Sequence, residues 1–346
     1  MLAAFLNSIG LLISSPIPIS ITMLFLSSLL IPALHISTKQ TRQSTPFPYH
    51  TLCMWVGISL LLRLAYLHEL AVPLYFDSAE HARIISAITN GVSLNTLIPR
   101  YYHLGYHLLV AGLAKILALK IPYAMLLFGQ IILTLLTVSI LIAVWNETKS
   151  VPATFFSALL ASFAWSMPGF ALNWGKYPML TGLFFSSITL LLALLKKDNP
   201  STQRKTLIIG GIISTLIHSR MLILILLAVI SWMLAQKTTK SQLIYRRIVL
   251  GFGLATILWF GVRISNDSLL KLTLEPYINT PALYTTILLI PLSIFSHKEF
   301  PELFFFNLFF LAGLLASLFI PISGALFGFG KLSLLDRPFV ETVISL

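Results

Sequence analysis

Charged residues are scarce in this chain of 346 residues, where Asp, Glu, Lys and Arg together make up 10 %. A soluble globular domain carries about 25 % of these residues. Hydrophobic residues make up 57 %, which is more apolar surface than one core buries in a chain of this size. This composition is typical of an integral membrane protein, and we expect one.

Cysteine is also nearly absent, since the sequence has only Cys53, which lies within an apolar stretch. A disulfide within the chain and a cysteine-based metal cluster are therefore excluded. Neither Lys nor Arg occurs before Lys39. Because a cleavable signal peptide begins with basic residues, we expect none in this chain.

Acidic residues number 11 against 23 basic ones, which gives a formal net charge of +12. In a soluble protein this excess would suggest binding to nucleic acid. In a membrane protein, basic residues in cytoplasmic loops hold the topology, and we prefer this explanation. A nucleic-acid partner is therefore not expected.

Long apolar blocks recur along the chain and predict an all-α, polytopic membrane protein with about 9–11 membrane helices. We expect one transmembrane domain, residues 1–346, without a soluble domain. The blocks lie at about 17–36, 51–72, 103–119, 121–145, 151–167, 178–195, 206–236, 248–264, 281–296 and 303–320.

Clusters of Lys and Arg at 37–50, 196–205 and 237–247 predict which segments face the cytoplasm. With these sides assigned, the segments 73–102 and 168–177 face the outside. The polar residues of the chain then converge on or near the extracytoplasmic face. Ionisable residues close to membrane spans are costly, so they are functional candidates by default.

Two apolar blocks do not fit one ordinary span each. Block 206–236 has basic clusters at both ends and is too long for one crossing, so we expect a helix break at His218-Ser219-Arg220. Block 103–119 is short and contains polar residues, and we expect a juxtamembrane or partly immersed helix there. A helix break in hydrocarbon exposes backbone polar groups unless it is buried in protein or lines a cavity. Arg220 is therefore a candidate phosphate ligand beside His218, and the alternative is a plain turn whose side chains snorkel to the interface.

The strongest local motif runs from Tyr75 to His81 and opens a helical pattern. On a helix, Asp77, Glu80 and His81 lie on one face, where they could perform acid–base chemistry or hold a divalent cation. The alternative is structural: Asp77 caps the helix and Glu80 completes a capping box. The residues alone leave both interpretations open.

Two further motifs combine aromatic and cationic side chains. His103 and His107 have the i, i+4 spacing of a zinc pair, but also suit an aromatic belt at a membrane interface or the polar wall of an active site. Lys176 and Tyr177 follow Trp174, where a lysine is either an interfacial anchor or a phosphate ligand.

These motifs, in this order, resemble the GT-C superfamily of polytopic membrane glycosyltransferases, and more closely an uncharacterised prokaryotic branch of GT-C-like proteins. The segments that carry the resemblance are FDSAEH (76–81), YHLGYH (102–107), WGKYP (174–178) and the later His218. The resemblance covers about residues 50–337. It implies a multi-pass protein of a prokaryotic plasma membrane with its active face outside the cytoplasm.

The resemblance also implies a mechanism, in which a sugar is transferred from a polyprenyl-phosphate donor to an acceptor. Asp77 would be the general base or orient the acceptor, and Glu80 or His81 would assist it or bind a metal. The lipid phosphate would be neutralised by Lys176, Arg220 and Arg337. The remaining substrate-binding candidates are His103, His107, Tyr177 and His218.

Two other functions stay open at this point. One is a non-catalytic GT-C-like scaffold of polysaccharide assembly, and the other is a lipid or solute transporter, which intramembrane charges and broken helices also suit. In relatives, a residue comparable to Arg337 often precedes further spans, so a C-terminal truncation is a further possibility.

Overall fold

The computed structural model describes residues 47–67, 70–92, 103–164, 168–195 and 199–235. It also describes short pieces at 251, 255, 258, 262, 266, 301–302, 304–310 and 342–343. Every regular element in these parts of the chain is helical, which confirms the all-α prediction for them. The principal elements are α1 (Tyr49–Leu67), α2 (Phe76–Thr89), α3 (Gly105–Ile116), α4 (Ile121–Thr148), α5 (Val151–Leu159), α6 (Gly169–Asn173), α7 (Tyr177–Leu195), α8 (Pro200–Ile217) and α9 (Met221–Ala235).

Local sequence explains where several helices begin. Helices α4, α5 and α8 each have proline in the first turn, where the missing N–H has no helical partner to lose. The Ser150 side chain caps α5 by accepting from the Ala153 N–H, and Asn199 caps α8 by accepting from Thr202. Helix α5 then continues as a π-helical turn, Leu160–Ala164.

The chain divides into two compact units, residues 1–218 with 341–346 and residues 219–340. In the first unit, α4 packs against α1, α5 and α7, while α2 packs against α3 and α7 against α8. The buried side chains of Trp55, Leu141 and Ala158 form a core between α1, α4 and α5. In the second unit, Leu234 and Ala235 of α9 pack with Phe305.

Hydroxyl groups join α1 to α4 inside this apolar packing. The Trp55 indole N–H donates to Thr137 Oγ1 at 3.1 Å, and Ser59 Oγ donates to Thr134 Oγ1 at 3.4 Å. Away from water, such pairs satisfy polar groups that would otherwise be costly to bury. They also set the antiparallel register of α1 and α4, because one helical turn separates the two contacts on each helix.

Among the described residues, only α4 is both long and apolar enough to cross a membrane, with 28 residues and a mean hydropathy of 2.4. Shorter apolar stretches lie at Tyr49–Ala65, Gly105–Ile116, Val151–Phe163, Tyr177–Ala193 and Met221–Ala235. The expected count of 9–11 membrane helices therefore stays a prediction. Blocks 17–36, 248–264, 281–296 and 303–320 lie wholly or largely outside the described residues.

The structure tests two boundaries that the sequence singled out. The predicted break in block 206–236 is confirmed, since α8 ends at Ile217 and α9 begins at Met221. Block 103–119 forms a helix of 12 residues, which spans about 18 Å and is shorter than the bilayer core.

The structural alternative for Asp77, a helix cap with Glu80 completing a capping box, is not borne out. Helix α2 begins at Phe76, and its N-cap is Tyr75, which makes no side-chain capping hydrogen bond. Asp77 therefore lies inside the first helical turn. Tyr75 has a φ of +73°, which is uncommon for a residue other than glycine and turns the chain sharply into α2.

Candidate functional site

Asp77 and Lys176 form an ion pair that joins two motifs 99 residues apart in sequence. Lys176 Nζ lies 2.7 Å from Asp77 Oδ2, and the two side chains keep 27 % and 36 % of their surface exposed. The pair is therefore open to a ligand. An ammonium has three N–H donors, so Lys176 can hold Asp77 and contact a further oxygen at the same time.

Gly175 explains why these two motifs approach so closely. Its φ is +69°, and a Cβ there would lie 2.8 Å from Asp77 Cβ and 2.8 Å from the Ser78 backbone nitrogen. Only glycine adopts this conformation easily and leaves room for the first turn of α2. Ser78 in turn donates its hydroxyl to the Leu74 carbonyl, which fixes the turn before the helix.

His81 is held between two partners behind this ion pair. Its Nδ1 lies 3.0 Å from His107 Nε2, and its Nε2 lies 3.1 Å from the Gly175 carbonyl oxygen. A carbonyl only accepts, so Nε2 of His81 carries the proton and donates it to Gly175. His107 Nε2 then donates to Nδ1 of His81, which assigns one tautomer to each ring.

Burial lowers the pKa of His81 to about 4, although the nearby carboxylates of Asp77 and Glu80 favour its charged form. Burial and the neighbouring imidazoles of His81 and His103 also lower the pKa of His107. Both rings are therefore neutral at pH 7. His81 positions the backbone carbonyl next to Lys176 and does not serve as a charged acid.

This pKa shift predicts that acid destabilises the protein. The unfolded imidazole titrates near 6.5 and the folded one near 4, so the unfolded state binds more protons between these values. Stability is then lost as the pH falls through this window. We expect the thermal unfolding temperature to drop between pH 7.5 and pH 5. His81→Gln should flatten this dependence, whereas the exposed His50→Gln should not; equal slopes in both variants would contradict the assignment.

Aromatic rings pack under the histidines. The buried Tyr106 ring stacks on Tyr177 with centroids 5.8 Å apart and meets His81 edge-on at 5.7 Å. Gly129 of α4 makes room for this stack, because a Cβ there would lie 2.7 Å from Tyr177 Cε1. Tyr177 is only 2 % exposed, so it supports the site from within the core.

A second histidine pair lies near the end of α8. The His103 and His218 rings have centroids 4.7 Å apart. The start of α3 meets the end of α8 at Gly105, where a Cβ would lie 2.7 Å from Ile217 Cγ1. This close approach brings the second motif and the predicted helix break together.

Glu80 takes part in a different interaction from Asp77. Both of its carboxylate oxygens accept from Arg83, at 2.8 Å from Nε and 2.5 Å from Nη2, and this pair is exposed. The Arg83 guanidinium lowers the pKa of Glu80 through these bonds. In the described part of the chain, no group of three His, Cys, Asp or Glu side chains is arranged to hold a metal ion.

Two further predicted phosphate ligands are Arg220 and Arg337. Arg220 lies in the turn before α9 and belongs to the second unit, where its carbonyl accepts from the Ile223 N–H at 3.1 Å. Arg337 lies outside the described residues.

Arg63 is a candidate that the sequence reasoning missed. It is 6 % exposed within α1, and its guanidinium donates to Ser59 and Ser162. An arginine inside the apolar block 51–72 was the signal that would have found it, since such residues are rare in apolar helices.

Comparison with known proteins gives no match: no family model, no curated protein and no solved structure is significantly similar to the chain. The GT-C resemblance therefore depends on the motifs alone.

Proposed function

We propose that this chain is a membrane glycosyltransferase that takes a sugar from a polyprenyl-phosphate donor at the extracytoplasmic face of a prokaryotic plasma membrane. The observation that carries the proposal is the ion pair of Asp77 with Lys176 at 2.7 Å. It combines a carboxylate that can accept a proton with a cation that can bind phosphate, and both are part-exposed.

The proposed reaction assigns a separate role to each member of the pair. The acceptor hydroxyl attacks the anomeric carbon of the donor sugar, and Asp77 takes the proton of that hydroxyl. The bond from the anomeric carbon to the phosphate oxygen breaks, and the polyprenyl phosphate leaves with the bonding electrons. Lys176 stabilises the charge that develops on this phosphate.

The remaining residues around the pair hold it in place. The buried histidines His81 and His107 fix the Gly175 carbonyl, and Tyr106 and Tyr177 fill the space beneath. Since a displacement of about 1 Å can cost a hundredfold in rate, such supports matter for turnover. Glu80, paired with Arg83 at the surface, has no role in this mechanism.

Surface hydrophobicity supports the membrane part of the proposal. On α8, Ile208, Ile209, Ile212 and Leu216 are each more than half exposed, and on α1, Leu61 is 70 % exposed. Water-soluble proteins rarely expose contiguous apolar faces of this kind, whereas lipid tails would cover them. Helix α4, with 28 residues or about 42 Å, is long enough to cross the hydrocarbon core of a bilayer.

The test is release of sugar from radiolabelled donors by the purified full chain. A panel of polyprenyl-phosphate sugars is compared with nucleotide sugars carrying the same label. The proposal expects turnover with at least one lipid-linked donor and none with nucleotide sugars. Absence of turnover with every lipid-linked donor, in folded protein, would favour the scaffold or the transporter instead.

A further inference from the structure

Arg63 has an unusually well-defined environment for a charged side chain inside an apolar helix. Its Nε donates to Ser59 Oγ at 3.4 Å, and its Nη2 donates to the carbonyl and the hydroxyl oxygens of Ser162, at 3.2 and 2.5 Å. The Phe163 ring lies 4.8 Å from the guanidinium carbon. Ser162 and Phe163 both belong to the π-helical turn Leu160–Ala164.

In the part of the chain that the structure describes, these contacts satisfy the hydrogen bonds of Arg63 only in part and supply no opposite charge. Within the described residues, no carboxylate lies within salt-bridge distance of the guanidinium and no hydrogen bond reaches Nη1. A guanidinium with 6 % exposure has lost most of its water. A buried cation of this kind is costly unless an anion accompanies it.

The helix register places Arg63 on the same level as the candidate site. Trp55 bonds to Thr137 and Ser59 bonds to Thr134, so one further turn along α1 brings Arg63 to the level of Gln130 on the antiparallel α4. The residue before Gln130 is Gly129, which approaches Tyr177. Tyr177 directly follows Lys176, so both cations lie toward the same end of the helix bundle.

We propose that Arg63 is the centre of a phosphate-binding position, formed with Ser59, Ser162 and the π-helical turn, that receives the phosphate group of a lipid. Arginine binds phosphate oxygens through its guanidinium N–H groups, and within the described residues Nη1 has no hydrogen bond to another group. π-Helical turns occur frequently at functional sites. Identifying this lipid with the glycosyl donor rests on the proposed function, but binding of a lipid phosphate does not.

The experiment measures ligand-induced stabilisation and needs no turnover. The full chain in neutral detergent is titrated with dodecyl phosphate, with sodium phosphate and with uncharged dodecanol, and the thermal unfolding temperature is recorded. We expect dodecyl phosphate to raise this temperature in a saturable way. The increase should disappear in Arg63→Gln and persist in Arg83→Gln, a matched loss of an exposed arginine.

Each outcome bears on the proposal. An equal increase in wild type and Arg63→Gln overturns it, as does an equal increase with dodecanol. An increase with sodium phosphate as large as with dodecyl phosphate keeps the phosphate position but overturns the lipid as its ligand. If Arg63→Gln does not fold, Arg63→Lys and Ser162→Ala replace it, and unchanged affinity in both overturns the proposal.

This design separates the two proposals. Loss of the increase in Arg63→Gln, in a protein that turns over no donor, supports the phosphate position while the glycosyltransferase proposal fails. If the protein turns over a lipid-linked donor and dodecyl phosphate raises the unfolding temperature of Arg63→Gln as much as that of wild type, the glycosyltransferase proposal is supported and the phosphate position fails.

Discussion

Replacing Asp77 by asparagine is expected to lower sugar transfer by about 10²–10⁴-fold, the usual contribution of a general base. Asparagine keeps the size of the side chain and can still accept a hydrogen bond from Lys176. It cannot take the proton of the acceptor hydroxyl. Initial rates of sugar release at saturating donor, measured for wild type and variant, test this expectation.

Two other carboxylates provide the controls for Asp77→Asn. Glu80 lies on the same helix as Asp77 but pairs with Arg83 at the surface. Glu80→Gln should therefore lower turnover far less than Asp77→Asn does. Glu147→Gln, at the end of α4, should leave turnover at the wild-type level. A fall in Glu80→Gln as large as in Asp77→Asn would show that the two acids act together and would refute separate roles for Asp77 and Glu80.

Gly175→Ala is expected to reduce turnover by about a hundredfold and to lower the thermal unfolding temperature. Alanine at a φ of +69° costs about 1–2 kcal/mol, and its Cβ would lie 2.8 Å from Asp77 Cβ. The segment must move away from α2, which separates Lys176 from Asp77, and a shift of about 1 Å suffices for this loss.

Gly112→Ala is the matched control for this substitution. Gly112 lies within α3, and a Cβ there meets nothing within 4 Å. Because alanine favours a helix interior more than glycine by about 0.5–1 kcal/mol, this variant should be as stable as wild type or slightly more stable. Equal behaviour of the two variants would contradict the role assigned to Gly175.

Sequence patterns predicted that the polar motifs lie close together, and they predicted where the helix breaks. Motifs at 76–81, 102–107 and 174–178 meet in one cluster, as expected if all face the same side. The break at His218 was predicted from length and charge, because an apolar block with basic residues at both ends is expected to turn back if it enters a membrane. Both predictions need only the positions of apolar and charged residues along the chain.

The partners within the cluster could not be predicted in the same way. The capping alternative for Asp77 does not hold because the N-cap is Tyr75, two residues before Asp77, and the carboxylate contacts Lys176 instead. The contacts of Gly175 with α2 depend on a positive φ, which no hydrophobic pattern encodes. The environment of Arg63 could not be predicted because Ser162, which accepts two of its hydrogen bonds, lies 99 residues away in sequence.

The central claim is that Asp77 and Lys176 act as one catalytic unit, and a double-mutant cycle tests it most directly. Sugar release is measured for wild type, Asp77→Asn, Lys176→Met and the double variant, with folding checked by thermal unfolding. Residues that act as a unit have non-additive effects, so we predict that the double variant is hardly slower than Asp77→Asn alone. Strictly multiplicative losses, or wild-type turnover in Asp77→Asn, would contradict the account.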